Sequence, residues 1–183
     1  MAKITLAVTG SISAYKAADL VSALTKDQHE VSVLMTAASQ NFITPLTLQV
    51  LSKNHVHTDI MDENRPNLVN HIDLAKNTDL FIVAPASADS IARLAHGFAN
   101  DIVTSVALAL ENHIPKLIAP AMNTNMYENP LTQKNIHILE DLGYKQIDPK
   151  EALLACGDFG PGALADTDKI LNEIKEKLPN ETH

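Results

Sequence analysis

Leu80-Phe81-Ile82-Val83-Ala84 is an unbroken apolar run with no polar alternation, and it stops at Pro85. A strand half-exposed to water alternates apolar with polar residues; an unbroken run is buried on both faces, as in the middle of a parallel sheet. Lys116-Leu117-Ile118-Ala119 repeats the pattern and also closes on a proline, Pro120. Working outward, residues 3–9 and 31–35 read as two further short strands, the first meeting Gly10 and the second ending at Thr36. Between these runs the apolar spacing changes to three and four. Ala14, Ala17, Ala18, Val21 and Leu24 form one helical face over residues 13–24. Residues 42–51, beginning near Pro45, and residues 88–95, 102–110 and 132–142 read as helices; the last stops at Gly143. The segment 59–70 is polar, contains Pro66, and reads as a long loop. Strands alternating with helices predict an α/β fold: a doubly wound parallel sheet in a three-layer, flavodoxin- or Rossmann-like sandwich.

The bulk numbers narrow the function classes. A chain of 183 residues fits one domain, residues 1–183, large enough to bury a core. No apolar run approaches the ~20 residues that span a bilayer, and the N-terminal residues read as a first strand rather than a signal peptide. A cytoplasmic protein without membrane contact is the expectation. A formal charge of −8 argues against a nucleic-acid surface, and so does the absence of Trp, which leaves little to stack bases on. The acidic and basic residues after position 166 fall at helical spacing, which predicts a solvated C-terminal helix over about 167–178.

In folds of this class ligands bind beyond the carboxyl ends of the strands. The first strand ends in Thr9-Gly10-Ser11-Ile12-Ser13-Ala14, directly before a helix. Backbone N–H groups and the hydroxyls of Ser11 and Ser13 would form an anion site suited to a mononucleotide phosphate. A helix cap uses the same residues without any ligand. The single glycine excludes the G-x-G-x-x-G dinucleotide fingerprint. Thr36, Pro85-Ala86-Ser87 and Pro120-Ala121-Met122-Asn123 close the other strands and should project to the same side. Together they suit a planar polar heterocycle; singly, each could be an N-cap.

Cys156 is the only cysteine, so an internal disulfide and a multi-cysteine zinc site are both excluded, and no metal is expected. Three glycines, a proline and an aspartate fall within residues 156–162, which reads as a mobile, exposed flap over about 150–165.

Five segments in this order resemble the flavin-containing cysteine decarboxylases, in particular their phosphopantothenoylcysteine branch. Two are the most specific: Pro120-Ala121-Met122-Asn123-Thr124-Asn125-Met126-Tyr127, matching the family's P-x-M-N-x-x-M, and Ala155-Cys156-Gly157-Asp158-Phe159-Gly160-Pro161-Gly162. Three more support them: Gly10–Lys16 with Ser11 and Ser13, Asn70-His71-Ile72-Asp73-Leu74, and residues 84–89 followed by 97–101. The resemblance runs from about residue 3 to residue 166. Tyr127 stands where many relatives have Trp, and Ser11 and Ser13 where some have Gly and Ala.

The resemblance implies a trimer, in some relatives four trimers forming a dodecamer, with FMN between neighbouring subunits. It places the flavin phosphate on Gly10, Ser11, Ile12 and Ser13, with Thr36, Pro85, Ala86 and Ser87 as further flavin contacts. It implies decarboxylation of 4′-phospho-N-pantothenoylcysteine to 4′-phosphopantetheine in coenzyme A biosynthesis, through a thioaldehyde, loss of CO₂ to an enethiol, and re-reduction. His71 suits the base of the oxidation, since an imidazole titrates near neutrality; the other histidines read as surface or capping residues. Asn123 suits the substrate carboxylate, which it would hold by amide donors without a stabilising charge clamp. Cys156 suits the final proton donor, on a flap that closes over the substrate. Ala155 and Gly157 would line the substrate beside it. Met122 and Met126 would wall the pocket, although core packing explains either equally well. Lys16 and Lys76 would meet the substrate phosphate, one subunit lending them to the next.

Many bacterial relatives continue into a second, cysteine-ligating domain; the chain's end at His183 predicts decarboxylation alone, with ligation on another polypeptide. Four competing readings exist. A peptidyl-cysteine decarboxylase shares the P-x-M-N segment but fits the flap less well, and a flavin prenyltransferase lacks the combination of both. A non-catalytic flavin-binding regulatory subunit would not need the set His71, Asn123 and Cys156. A flavodoxin-like electron carrier would need neither the histidine nor the flap.

Overall fold

The computed structural model describes residues 1–63 and 69–178. Six strands form one parallel sheet: β1 Lys3–Val8, β2 Glu30–Met35, β3 Val56–His57, β4 Leu80–Ala86, β5 Lys116–Pro120 and β6 Tyr144–Gln146, in the order β3-β2-β1-β4-β5-β6. The chain winds outward from β1 in one direction and from β4 in the other. The topological switch point therefore lies between β1 and β4. The expected doubly wound fold is present, and the four strands read from apolar runs are its four central ones.

The helices are α1 Ala17–Lys26, α2 Pro45–Ser52, α3 Asn70–Lys76, α4 Ala88–Ala95, α5 Ile102–Ala109, α6 Thr124–Glu128, α7 Pro130–Asp141 and α8 Thr167–Lys177. Alternating residues of the strands feed two cores. Ile4, Leu6, Val8, Val31, Val33 and Met35 point toward α1, α2 and α8, where Leu20, Val21, Leu48, Ile170 and Ile174 cover them. Ala7, Leu34, Phe81, Val83 and Ile118 point toward α3, α4, α5 and α7, meeting Leu74, Ile91, Val103 and Leu139. Each large apolar side chain so buried contributes about 1.5–3 kcal/mol, and the central strands gain on both faces. A separate antiparallel hairpin, β7 Lys150–Leu153 and β8 Phe159–Ala163, stands outside the sheet.

Several sequence expectations change. The helix read over residues 13–24 is a 3₁₀ turn, Ile12–Lys16, running into α1. The helix read over 42–51 from near Pro45 is α2, which does begin at Pro45, with Thr44 accepting from the Thr47 amide as its cap. His71 sits in the first turn of α3. Within the segment read as a loop, Pro66 lies outside the described residues. The C-terminal helix expected over 167–178 is α8. The exposed flap is half right: Cys156 lies in an exposed turn, but Gly160, Pro161 and Gly162 belong to strand β8.

Candidate active site

The carboxyl ends of β1, β2, β4 and β5 open into one cleft of about 820 Å³ at the switch point, with the β7–β8 hairpin across its rim. Gly10, Ser11, Ile12, Ser13 and Lys16 line it from β1, Thr36 from β2, Ser87 from β4, and Met122, Asn123 and Met126 from β5; the hairpin adds Ala155 and Cys156. Most of the residues singled out in the sequence thus meet in one place.

The cradle at the strand ends is built on a residue the sequence reading passed over. Thr9 is fully buried; its Oγ1 donates to the Pro85 carbonyl at 2.7 Å and accepts from the Ser87 amide at 2.8 Å. This one hydroxyl ties the end of β1 to the end of β4 across the switch point. Its signal was a polar residue closing an apolar strand just before Gly10. Gly10 itself is required by proximity, since a Cβ there would lie 2.6 Å from the Ala38 Cβ.

Capping and cleft-lining turn out to be the same job. Ser11 Oγ accepts from the Ser13 amide at 3.3 Å, Thr36 Oγ1 from the Ser39 amide at 3.3 Å, and Ser87 Oγ from the Ser90 amide at 3.2 Å. A capping oxygen accepts from the backbone, which leaves its own proton free to donate elsewhere. Ser87 already gives that proton to Ser90 Oγ at 3.1 Å.

Pro85 and Ala86 sit differently from Ser87. Both are buried within β4 and neither lines the cleft. The Pro85 carbonyl is taken by Thr9, and the Ala86 carbonyl accepts from the Ala121 amide at 3.1 Å, joining β4 to β5. They hold the scaffold in place. Gly157 sits at the exposed turn of the hairpin and also does not line the cleft.

Asn123 caps the short helix α6, its Oδ1 accepting from the Asn125 amide at 2.9 Å. That fixes the amide's orientation, so Nδ2 faces the hairpin, donating to Cys156 Sγ at 3.2 Å and Asp158 Oδ2 at 3.0 Å. The Cys156 thiol lies 3.4 Å from the same carboxylate oxygen. The hairpin reaches this position because β8 lies directly on the segment after β5. The Met122 amide donates to the Gly162 carbonyl at 2.9 Å, and a Cβ on Gly162 would stand 2.3 Å from the Met122 carbonyl oxygen. Met122 lines the cleft while also packing on the core, whereas Met126 is half exposed at the rim.

His71 and Lys76 lie on α3 and do not line this cleft. His71 Nδ1 is buried and has no hydrogen-bond partner among the described residues. Among the other histidines, His57 departs from the expected surface role: it is buried on β3, its Nδ1 3.2 Å from Asn70 Nδ2. Charged residues missed in the sequence also line the cleft. Arg93 is held above its ordinary range by its hydrogen bond to Asp89 at 2.8 Å, and also donates to Asn100. Lys150, at the hairpin's root, is ion-paired with Asp166 and holds that carboxyl below its ordinary range.

The donor set fits a flavin mononucleotide. Gly10 and the Ser11 and Ser13 hydroxyls line the cleft at the end of β1, where a phosphate could be held, and Ile12, Phe42 and Met122 offer apolar contact to a flat ring. No group of three or more His, Cys, Asp or Glu side chains suited to a metal ion occurs among the described residues. Nor is any described helix long and apolar enough to cross a membrane.

Comparison with known proteins agrees with this geometry. The family model described as Flavoprotein matches residues 1–179. A probable phosphopantothenoylcysteine decarboxylase of Streptococcus mutans is 62% identical over 176 residues, covering 96% of this chain and 98% of that protein. The coenzyme A biosynthesis bifunctional protein CoaBC of Bacillus subtilis is 42% identical over 97% of this chain, which spans only 43% of that longer protein. Among solved structures, a cysteine-to-serine mutant of PPC decarboxylase complexed with pantothenoylaminoethenethiol superposes with a TM-score of 0.87 at 31% identity, covering 96% of this chain and 97% of that one. The FMN binding protein AtHal3 superposes with a TM-score of 0.85 at 30% identity, covering 100% and 99%.

Proposed function

The chain belongs to the Flavoprotein family, and from that premise we propose that it catalyses the FMN-dependent decarboxylation of 4′-phospho-N-pantothenoylcysteine to 4′-phosphopantetheine, a step of coenzyme A biosynthesis. The observation that carries this reading is Cys156, held at 3.2 Å from Asn123 over a cleft that Gly10, Ser11 and Ser13 also line. The relative from Streptococcus mutans and the PPC decarboxylase structure support it, and AtHal3 supports FMN as the flavin.

When bound, FMN supplies the hydride acceptor that oxidises the thiol-bearing carbon and returns the hydride at the end. The chain's own residues bind, orient and move protons. Gly10, Ser11, Ile12, Ser13, Thr36 and Ser87 hold the cofactor. His71 takes a proton as the substrate is oxidised to the thioaldehyde. Asn123 Nδ2 holds the substrate carboxylate by neutral donors, which leaves the carboxylate less stabilised than a lysine would and so easier to lose. Its electrons pass into the C=S bond, giving CO₂ and an enethiolate, and Cys156 donates the proton that its carbon requires. Ala155 and Met122 flank the reacting end, and Lys16 faces the substrate phosphate.

The same reading makes the active unit a homotrimer, cytoplasmic, with FMN between neighbours and the base His71 lent across the boundary; assembly of trimers into a dodecamer is its extension. What supports it is the separation of α3 from its own chain's cleft, together with apolar exposure on the paired helices α3 and α5, at Ile72 and Leu108. The flap and the sheet are parts of a single flavoprotein domain. Lys76, on the same helix, would reach the substrate phosphate of the neighbouring site.

The test is direct. The FMN-loaded protein should release CO₂ from 4′-phospho-N-pantothenoylcysteine and not from a peptide ending in cysteine. Cys156→Ser should release CO₂ but accumulate the enethiol, and His71→Asn should leave the substrate unoxidised. A protein that binds FMN yet releases no CO₂ would be the regulatory or electron-carrier alternative. Normal turnover by Cys156→Ser would remove that residue from the proton step.

A further inference from the structure

Asn123 has no donor to spare. Its Oδ1 is committed to the Asn125 amide, and the two protons on Nδ2 go to Asp158 Oδ2 at 3.0 Å and Cys156 Sγ at 3.2 Å. The proposed function gives Nδ2 to the substrate's carboxylate, but in this structure a carboxylate from the chain already occupies it. We infer that Asp158 is a placeholder for the substrate carboxylate on Asn123, displaced when substrate binds and restored when CO₂ has left; the inference rests on the proposed function.

The hairpin is shaped for this. The Leu154 amide donates to the Asp158 carbonyl at 2.8 Å and the Gly157 amide to the Leu154 carbonyl at 2.9 Å, so the turn folds Asp158 back over Asn123. Among the described residues no lysine, arginine or histidine pairs with the Asp158 carboxylate; its recorded partners are Asn123 and Cys156. The sulfur is a weak acceptor and the carboxylate a strong one. The incoming carboxylate therefore exchanges with Asp158, like for like, because two carboxylates on one amide repel each other.

The exchange has a direction that suits the reaction. Asp158 and Cys156 share the turn and a direct contact, so displacing the carboxylate draws the thiol from Asn123 during the oxidation. Loss of CO₂ frees Nδ2, Asp158 regains it, and Cys156 returns beside the carbon that needs its proton. Asp158 is thus a positioning residue that couples departure of the carboxylate to arrival of the acid. It also sets specificity, since it competes only with ligands that carry a carboxylate.

Calorimetry on the FMN-loaded protein tests this with two probes that resist oxidation: 4′-phospho-N-pantothenoylserine, which keeps the carboxylate, and its ethanolamine counterpart, which lacks it. Asp158→Asn replaces a charge-assisted contact with a neutral one, so it should bind the serine probe about tenfold more tightly and the ethanolamine probe as the unsubstituted protein does. Asp158→Glu, which keeps the charge, should restore much of the unsubstituted ratio between the two probes. Asp158 is exposed, so neither change strikes the core. Equal shifts for both probes, or none for either, would overturn the placeholder while leaving the decarboxylase reading intact. Failure of the unsubstituted protein to bind either probe would overturn both.

Discussion

The strand-end cradle and the β7–β8 hairpin both deliver polar groups to the same cleft, by opposite means. In the cradle each group is fixed by the sheet: Thr9 is buried and bonded at both its donor and acceptor sides, and Ser11, Thr36 and Ser87 are held by the turns they cap. In the hairpin the working groups, Cys156 and Asp158, are exposed and bonded to one amide on another segment. The hairpin's order is borrowed, through two glycines that allow it to lie on the segment after β5. The difference suits their tasks. A cofactor that stays bound needs a rigid seat, whereas substrate must enter and leave beneath a cover that moves.

The strongest way to break this contrast is at the hairpin's root. Gly162 has φ +136°, and an added Cβ would meet the Met122 carbonyl oxygen at 2.3 Å. Gly162→Ala should lift β8 from its seat and misplace Cys156, lowering kcat about a hundredfold. Bound flavin, read from its absorbance, should stay at the unsubstituted level. Loss of flavin along with turnover would show that the hairpin and cradle are one unit.

The converse change is Gly10→Ala. The new Cβ would press on Ala38 Cβ at 2.6 Å, backbone-bound atoms that cannot swing aside. Such overpacking costs ~1–3 kcal/mol, measured by urea unfolding, and the flavin should be released. Retention of flavin at full occupancy would mean that the loop after β1 is not its phosphate seat. Thr9→Val is the milder version. It preserves shape but leaves the Ser87 amide without its acceptor, a loss of about 1–2 kcal/mol with weakened flavin affinity. The Pro85 carbonyl still accepts from the Thr9 backbone amide at 3.3 Å, which limits the damage.

The same contrast explains what was legible in the sequence. Strands β4 and β5 are buried along almost their whole length, and β1 and β2 along most of theirs, so near-continuous apolar runs reveal them. The edge strands β3 and β6 have two and three residues, too few for any periodicity to register. The residues after each central strand follow from the topology, which is why Gly10, Thr36, Ser87 and Asn123 were found together. The hairpin was misread because Gly160-Pro161-Gly162 has the composition of a loop. Its glycines serve a docking surface instead: a Cβ on Gly160 would meet Thr124 Cγ2 at 2.8 Å, a contact set by a segment 36 residues away (160 − 124). Nothing in the sequence marks a role for Asp158, since its hydrogen bond to Asn123 is made across that same contact. His71 was named from resemblance, and the cleft of its own chain does not include it.

The smallest expected effect is also the most discriminating within the cradle. Ser87 caps α4 by accepting from the Ser90 amide and also faces the cleft, so one deletion cannot separate the two roles. Two substitutions can. Ser87→Ala removes the cap and should cost about 1 kcal/mol, while Ser87→Gly should cost only a few tenths, because glycine is tolerated at an N-cap and alanine is not. Neither variant retains a hydroxyl for the flavin. If Ser87 serves the helix alone, flavin affinity should follow stability, falling in the alanine variant and recovering in the glycine variant. If the hydroxyl contacts the flavin, both variants should lose affinity to the same degree while their unfolding midpoints differ. The second outcome is expected, because in this cradle the atoms that finish the helices are the ones that face the cleft.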